Sequence, residues 1–200
     1  MLSLLNLKSL KLQKEFNSIK VCLSDYNNSW YKPGGGFFKR YLWILTSFFF
    51  FENPLFISRK VKKALLILYG AKIGDGFYMH KSAKIKYPWN LEIGNNVWLG
   101  EDCWIDNLTK VLIHSNVCIS QGALLLCGNH NYKKPTFDLV VKDIVLYDGV
   151  WIGARSVVCG GVTCHSHSVL SVNSVATKDL EEYSIYAGNP AVKVRGRVIE

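Results

Sequence analysis

His130 is the residue whose type and setting are best suited to chemistry. It follows Gly128-Asn129 at the start of a segment that interrupts an otherwise regular repeat. An imidazole titrates near working pH, so it can accept a proton from a substrate hydroxyl. A lone histidine more often has a structural role, but segments that leave a rigid scaffold commonly carry function. We therefore interpret His130 as a candidate general base.

A histidine base needs a partner on its second ring nitrogen, and three aspartates are candidates. Asp106 is predicted to lie one coil earlier near the same corner, whereas Asp138 and Asp143 lie within the interrupting segment. For Asp138 we favour a solvated turn. Asp106 and the adjacent Asn107 could instead bind hydroxyls of an acceptor.

Asn129 and Tyr132, which flank His130, are further candidates for contact with an acceptor. A metal site is not predicted, because the chain has neither a Cys-x-x-Cys pair nor a His-x4-His pair that could act with His130. The remaining histidines are interpreted as outward-facing or turn residues: His80, His114, His165 and His167.

The elements that must position these residues repeat with a period of six. An apolar residue occupies every sixth place, and most hexamers have a small or β-branched residue four places later. The apolar register is Ile73, Met79, Ile85, Ile93, Leu99, Ile105, Ile113, Ile119, Leu125, Leu146, Ile152, Val158, Cys164 and Leu170. Each hexamer predicts one short strand plus a turn, and three hexamers close a triangular coil around the stacked apolar residues.

Breaks in this register predict where the coils widen. The first three coils begin 20 residues apart instead of 18, which predicts two-residue bulges near Lys86–Leu91 and Asn107–Leu112. The longer break, 129–145, predicts a protruding loop. A β-sandwich would instead require period-two alternation over longer strands. We therefore predict an all-β chain with a parallel β-helix over 66–188 and a C-terminal tail over 189–200.

Residues 1–65 precede the repeat and form an aromatic, basic segment that we predict to be helical. The apolar run Tyr41–Phe51 is shorter than the ~20 residues that span a bilayer. We predict that it forms a helix covering the open first coil near Ile73, because a terminal coil exposes apolar edges and unpaired backbone groups. Its other faces could contact a partner subunit or an anionic membrane surface. The cations predicted to meet headgroups are Lys39, Arg40, Arg59 and Lys60.

Composition narrows the functional classes. The 200 residues are 49% hydrophobic and carry a net charge of +9, as expected for a globular protein with a polyanionic partner. No nucleic-acid-binding motif accompanies the charge, so a phosphate-bearing cofactor or a membrane is favoured. The six cysteines are interpreted as buried reduced thiols. Met1–Leu12 shows no cleavable signal peptide, and we expect a cytoplasmic protein that could be peripheral to the inner face of the membrane.

The repeats from Ile73 to Ala176, the segment Cys127–Tyr132 and the tail Gly188–Ala191 together resemble the hexapeptide-repeat acyltransferases. Within them the chain resembles the colanic-acid biosynthesis acetyltransferases, which are relatives of galactoside and maltose acetyltransferases. The resemblance implies a left-handed parallel β-helix that moves acetyl from acetyl-CoA to a sugar hydroxyl. It also points to His130 as the base, while Cys127 and Asn131 depart from the pattern and leave the acceptor open.

The resemblance further implies a binding site for acetyl-CoA along the later coils. The residues matched to it are Trp151 beside the pantetheine arm, Ala154 and Val172 as backbone contacts, Thr177 and Lys178 near the head group, and Arg195 at the phosphates. We expect a homotrimer, with flat faces in contact and each site built from two chains. The alternatives are an N-acetyltransferase acting on an amino sugar and a non-catalytic β-helix scaffold.

Overall fold

The computed structural model describes residues 19–53, 55 and 58–200, so the interpretation of Met1–Leu12 lies outside the described part of the chain. Contacts divide the chain into two compact units. The β-helix unit comprises Pro33–Asn129 and Val141–Glu200. The histidine unit comprises His130–Val140 and the described residues up to Lys32.

Three sheets of stacked strands form the β-helix unit, and consecutive coils pair in parallel. The first sheet contains β1 (Lys72–Ile73), β4 (Leu91–Ile93), β7 (Val111–Ile113), β12 (Ile144–Leu146) and β15 (Thr163–Cys164). The second contains β2 (Tyr78–Met79), β5 (Trp98–Leu99), β8 (Cys118–Ile119), β13 (Trp151–Ile152), β16 (Val169–Leu170), β18 (Ser184–Gly188) and β19 (Ala191–Gly196). The third contains β3 (Lys84–Ile85), β6 (Trp104–Asp106), β9 (Leu124–Leu126), β14 (Val157–Cys159) and β17 (Val175–Ala176). This arrangement confirms the predicted β-helix.

The register of the sheets is the one that the hexamers predict. Ile73 pairs with Ile93, and Ile93 pairs with Ile113. Leu146 then pairs with Ile113 on one side and Cys164 on the other. Within the register, Ile73 is half-buried, and the other thirteen side chains are buried. The column of apolar side chains is therefore continuous, and its burial is the main stabilising term of the unit.

Corners between strands need tight turns, and the sequence supplies residues that tolerate them. Asn96, Asn116 and Asn173 adopt positive φ at such corners. Gly153 meets a different requirement, because a Cβ there would lie 2.6 Å from the Val172 nitrogen of the next coil. In the first predicted bulge, a short 3₁₀ helix (Pro88–Asn90) accommodates the extra residues.

Two helices precede the first coil, which confirms the helical N-terminal segment. Helix α1 (Gly36–Thr46) continues into a π-helical turn (Ser47–Phe51), and helix α2 (Arg59–Leu68) follows. The predicted aromatic helix thus begins five residues earlier than Tyr41, after the left-handed Gly35. No helix within the described residues is long and apolar enough to cross a membrane.

Both helices contribute to covering the first coil. Trp43 is buried and donates from Nε1 to the Lys86 carbonyl at 2.8 Å. Helix α2, which the sequence analysis did not single out as a cap, buries Leu66 completely. Its Lys62 and Lys63 amines donate to the carbonyls of Lys81 and Gly74, at 2.5 and 2.6 Å. These donors satisfy carbonyls of the first coil, which has no preceding coil to pair with.

The segment after the last hexamers also contains regular structure. Strand β18 pairs in parallel with β16, and β19 pairs antiparallel with β18. Much of the stretch 189–200, which we predicted as a tail, is therefore a strand of the second sheet. The Asn189–Pro190 peptide bond, between β18 and β19, is cis.

Candidate active site

His130 lies at the end of a strand and not in an irregular loop. Strands β10 (Gly128–His130) and β11 (Leu139–Val141) pair as a two-stranded sheet, and β12 already begins at Ile144. The excursion predicted over 129–145 therefore contains short strands that the sequence analysis did not predict. Strand pairing at the base of the excursion fixes the backbone of His130, which a free loop would not do.

The ring of His130 is held by Phe137, seven residues later. The His130 Nδ1 atom lies 2.8 Å from the Phe137 carbonyl oxygen, and the two rings stack with centroids 4.3 Å apart and planes 5° apart. Phe137 itself adopts a positive φ of 50°, which is uncommon for a bulky residue. The Tyr26 ring packs against the imidazole at 5.6 Å. The Phe137 carbonyl and the two rings thus help to fix the position and orientation of the imidazole.

This contact assigns the tautomer of the neutral ring. A carbonyl oxygen can only accept, so Nδ1 carries the proton and Nε2 carries the lone pair. Nε2 is therefore the atom of His130 that can accept a proton from a substrate. The side chain is half-buried, so its ring is partly accessible.

Asp138 braces the turn of the histidine unit. Its carboxylate accepts hydrogen bonds from Lys134 Nζ at 2.7 Å and Thr136 Oγ1 at 2.6 Å. The bonds from Lys134 and Thr136 hold the pKa of this carboxyl below its ordinary value. Its backbone carbonyl accepts from the Asn131 N–H at 2.8 Å. This pattern agrees with the interpretation of Asp138 as a turn residue. The orienting contact on His130 Nδ1 comes from a backbone carbonyl, not from one of the three predicted carboxylates.

Asp106 and Asn107 are buried in the β-helix unit. Lys86 Nζ lies 2.8 Å from Asp106 Oδ1, which forms an ion pair between neighbouring coils. The Asn107 amide accepts from the Tyr87 N–H at 2.9 Å and donates to the Tyr87 carbonyl at 2.7 Å. Both polar groups of Asn107 therefore hold the bulge of the preceding coil together. A buried amide engaged in this way supports the backbone, and the predicted substrate contact of Asn107 stays a prediction.

Asp143 likewise supports a corner of the β-helix unit. Its Oδ1 atom accepts from Thr109 Oγ1 at 2.6 Å and from the Lys110 N–H at 3.1 Å.

The buried Cys127 thiol has its pKa raised to about 12 by burial, so it stays protonated at neutral pH. A protonated buried thiol is a poor nucleophile, which argues against covalent chemistry at Cys127.

Among the acceptor candidates in the excursion, Asn129 and Tyr132 are exposed. Tyr132 projects with 76% of its surface accessible, beyond the end of β10. Both side chains are polar and lie within two residues of His130 in the sequence.

The residues that were matched to acetyl-CoA lie at two corners of the later coils and on the last strand. Trp151 is exposed on the second sheet, and its indole Nε1 donates to Ser120 Oγ at 2.9 Å. Ala154 and Val172 follow neighbouring strands β13 and β16 at the same corner, one coil apart. Exposed Val172 and the fixed indole present apolar surface along one edge of the unit.

Thr177 and Lys178 lie at a different corner, after β17, and both are exposed. Arg195 is exposed on β19, where it pairs with Ile185 of the second sheet. Its neighbour Arg197 is instead engaged with the Gly149 carbonyl at 2.9 Å. The structure thus keeps Trp151, Ala154 and Val172 together and places the basic residues elsewhere along the last coils.

Sequence reasoning missed the residues that position the candidate side chains. Tyr26 lies 104 positions before His130 and carries no motif, and the positive φ of Phe137 is not visible in the sequence. Ser120 sits in the coil that precedes Trp151, so its role depended on the stacking register.

Within the described residues, no group of three or more His, Cys, Asp or Glu side chains is arranged to hold a metal ion.

Comparison with known proteins shows which sequences this chain is similar to. The sequence is 32% identical over 165 residues to a protein of Escherichia coli (strain K12) named "Putative colanic acid biosynthesis acetyltransferase WcaF", covering 82% of this chain and 91% of that protein. It is 27% identical over 128 residues to the galactoside O-acetyltransferase of the same organism, covering 62% of this chain and 63% of that protein. No protein-family model matches the sequence.

Solved structures share the fold. A hexapeptide-repeat-containing acetyltransferase from Vibrio cholerae superposes with a TM-score of 0.72 at 20% identity, covering 80% of this chain and 92% of that one. A galactoside acetyltransferase in complex with coenzyme A superposes with a TM-score of 0.70 at 24% identity, covering 79% and 80% of the two chains. At these identities the likeness is one of fold.

Proposed function

The chain belongs to the hexapeptide-repeat acetyltransferases, and we propose that it moves acetyl from acetyl-CoA to a sugar hydroxyl during exopolysaccharide or capsule assembly in the cytoplasm. Relatives named for colanic acid biosynthesis and for galactoside O-acetylation support a sugar acceptor. The observation that carries the chemistry is the 2.8 Å contact of His130 Nδ1 with the Phe137 carbonyl, because it makes Nε2 the basic nitrogen.

In the proposed reaction His130 acts as general base. Nε2 takes the proton of the acceptor hydroxyl as its oxygen attacks the thioester carbonyl carbon. The carbon–sulfur bond then breaks, and the coenzyme A sulfur leaves and recovers that proton from the imidazolium. The products are an acetyl ester and free coenzyme A. The Phe137 carbonyl holds the Nδ1 proton throughout, so the ring keeps one orientation in both protonation states.

For acetyl-CoA we propose the exposed edge of the later coils. Trp151, fixed by Ser120, would lie beside the pantetheine arm, and backbone groups at Ala154 and Val172 would contact it. The placement of Ala154 and Val172 one coil apart, with Val172 exposed, supports this edge. The phosphates would be met farther along the last coils by Thr177 and Lys178 and by Arg195, as anions prefer basic donors.

For the acceptor we propose Asn129 and Tyr132, together with the Asp106 carboxylate. Asn129 and Tyr132 are exposed beside the imidazole in sequence. Asp106 is largely buried and paired with Lys86, so its part would be to accept from one hydroxyl at a fixed point. We also propose a homotrimer whose sites combine residues of two chains, without a metal and without nucleic acid as a partner.

The test is His130→Ala, assayed for acetyl-CoA turnover against a panel of nucleotide sugars and lipid-linked oligosaccharides. Loss of a general base lowers the rate by about 10² to 10⁴, while binding of acetyl-CoA and thermal stability stay near wild type. His165→Ala is the matched control, because His165 is an exposed histidine of the β-helix unit. A His130→Ala enzyme that keeps more than about a third of wild-type turnover would refute the assignment.

The chemistry of the product separates the remaining alternatives. An O-acetyl ester is cleaved by mild alkali or hydroxylamine, whereas an N-acetyl amide survives both treatments. An alkali-stable product would show that an amino sugar is the acceptor. Binding of acetyl-CoA without turnover on any sugar of the panel would favour a non-catalytic scaffold.

A further inference from the structure

Helix α1 and its π-helical turn present an apolar surface that is exposed in the described part of the chain. Eight large side chains are between 40% and 79% exposed along this element. They are Phe37, Phe38, Tyr41, Leu42, Ile44, Leu45, Phe48 and Phe49. We call them the aromatic face. Soluble monomers rarely leave so many neighbouring apolar side chains in water, so a surface of this kind calls for a partner.

The aromatic face is continuous and uncharged. At about 100° per residue, its six positions within α1 fall in an arc of about 160°. Edge-to-face ring pairs join Phe37 to Phe38 and Phe48 to Phe49, with centroids 5.6 and 5.2 Å apart. The opposite side of the element packs inward through the buried Trp43 and Phe51. The element therefore has the two-sided character of a helix that lies in a polar–apolar boundary.

Positive charge is concentrated in the same part of the chain. Residues 33–86 carry ten lysines and arginines against Glu52 and Asp75, a net charge of +8. Residues 87–200 carry nine against eleven carboxylates, a net charge of −2. The basic character of the protein thus resides in the section that contains the aromatic face. Two copies joined through this section would bring like charges together, which disfavours self-association and favours an anionic partner.

The cations are not all turned to solvent as the sequence suggested. Lys39 Nζ lies over the Trp89 ring at 5.4 Å, and the Arg59 guanidinium lies over the Tyr78 ring at 4.8 Å. Arg40 and Lys84 line a groove of about 620 Å³ beside α1. Phe37, Tyr41 and Ile44 of the aromatic face line the same groove, together with Glu52, so at least Arg40 and Lys84 lie beside the apolar arc.

We propose that the aromatic face docks on an anionic membrane surface, with α1 parallel to the plane of the bilayer. Apolar burial would supply part of the affinity, and attraction of the basic section to anionic lipid the rest. The membrane contact is independent of the acetyl-transfer proposal, since none of its residues belongs to the candidate active site.

Sedimentation with vesicles tests this proposal on the full-length protein. The probes are phosphatidylcholine vesicles and vesicles that also contain phosphatidylglycerol, each at low and at high salt. We expect binding to the anionic vesicles at low salt, at least about tenfold stronger than to neutral vesicles, and weakened by salt because screening reduces the attraction.

The deciding variant is Phe37→Ser/Ile44→Ser/Phe48→Ser, which removes the centre of the aromatic face. Its matched control is Val192→Ser/Val194→Ser/Val198→Ser, which removes three apolar side chains of similar exposure at the other end of the chain. We expect the first variant to lose at least about tenfold in vesicle affinity and the control to stay within twofold. Thermal unfolding and acetyl-CoA turnover check that both variants are folded.

Three results would overturn the proposal. One is a wild-type protein that binds neither kind of vesicle at low salt. A second is equal vesicle binding by the two triple variants. The third is a fall in the light-scattering mass of the first variant without a change in vesicle binding, because the face would then be covered by another copy of the chain.

Discussion

The two ends of the β-helix unit are closed by different means. At the N-terminal end, side chains of the helices complete the first coil: Lys62, Lys63 and Trp43 donate to three of its carbonyls. At the C-terminal end the backbone of another strand supplies the hydrogen-bond partners, since β19 pairs with β18 along its length. A closure made by side chains depends on individual residues, whereas a closure made by backbone pairing depends mainly on the path of the chain.

The largest expected change in the free energy of unfolding comes from Leu66, the buried apolar residue of the N-terminal closure. Leu66→Ala should lower the free energy of unfolding by about 2–5 kcal/mol, because it leaves a cavity at a fully buried position. Leu68→Ala, at an exposed position of the same helix, should change it by less than about 0.5 kcal/mol. Chemical denaturation measures both, and equal effects would mean that α2 does not seal the first coil.

A smaller effect is expected from removing one donor at this end. Trp43→Phe keeps an aromatic ring but removes the Nε1 donor, so the Lys86 carbonyl loses its partner. We expect a loss of about 1–3 kcal/mol. Val194→Ala on β19 is the counterpart at the C-terminal end, where an exposed side chain should matter by less than about 0.5 kcal/mol. A comparable loss of stability from Val194→Ala would contradict the view that only the N-terminal closure depends on individual side chains.

The smallest effect is a pH dependence that only the N-terminal closure should show. Burial, and after it the nearby charge of Lys81, lowers the pKa of Lys62 from its ordinary value of 10.5. The folded protein therefore releases this proton at lower pH than the unfolded chain, so folding is favoured increasingly as pH rises toward 10.5. Relative to Lys62→Met, the wild type should gain stability between neutral pH and about 10.5.

Denaturation curves of both proteins at several pH values measure that difference. Titrating groups common to both proteins, such as the buried thiols, cancel in the comparison. Parallel stability–pH curves for the wild type and Lys62→Met would contradict a lowered pKa at Lys62.

The sequence predicted the β-helix in detail because its signal is repeated many times. The residues that pair across coils, such as Ile73 with Ile93 and Leu146 with Cys164, are those that the six-residue register aligns. An apolar residue that must point into a narrow prism leaves a mark at every hexamer, so errors at single positions do not shift the register.

The candidate site was predictable only as far as the type and chain position of His130. The excursion was located correctly by the break in the repeat, but its strands β10 and β11 were missed because they are short and carry no alternation. Asn107 has a structural role that its residue type did not reveal. Its polarity suggested a substrate contact, whereas its burial makes it a support for the backbone of Tyr87.

The sequence by itself determined the coil register, the place where it breaks and the basic, aromatic character of the first section. Each of these follows from composition or spacing, which are local properties of the chain. The tertiary structure alone decided that Phe137 orients His130, that Ser120 fixes Trp151 and that Lys62 is buried under the first coil. These are single contacts whose partners are set by backbone conformation and stacking, and a contact made once leaves no periodic trace in a sequence.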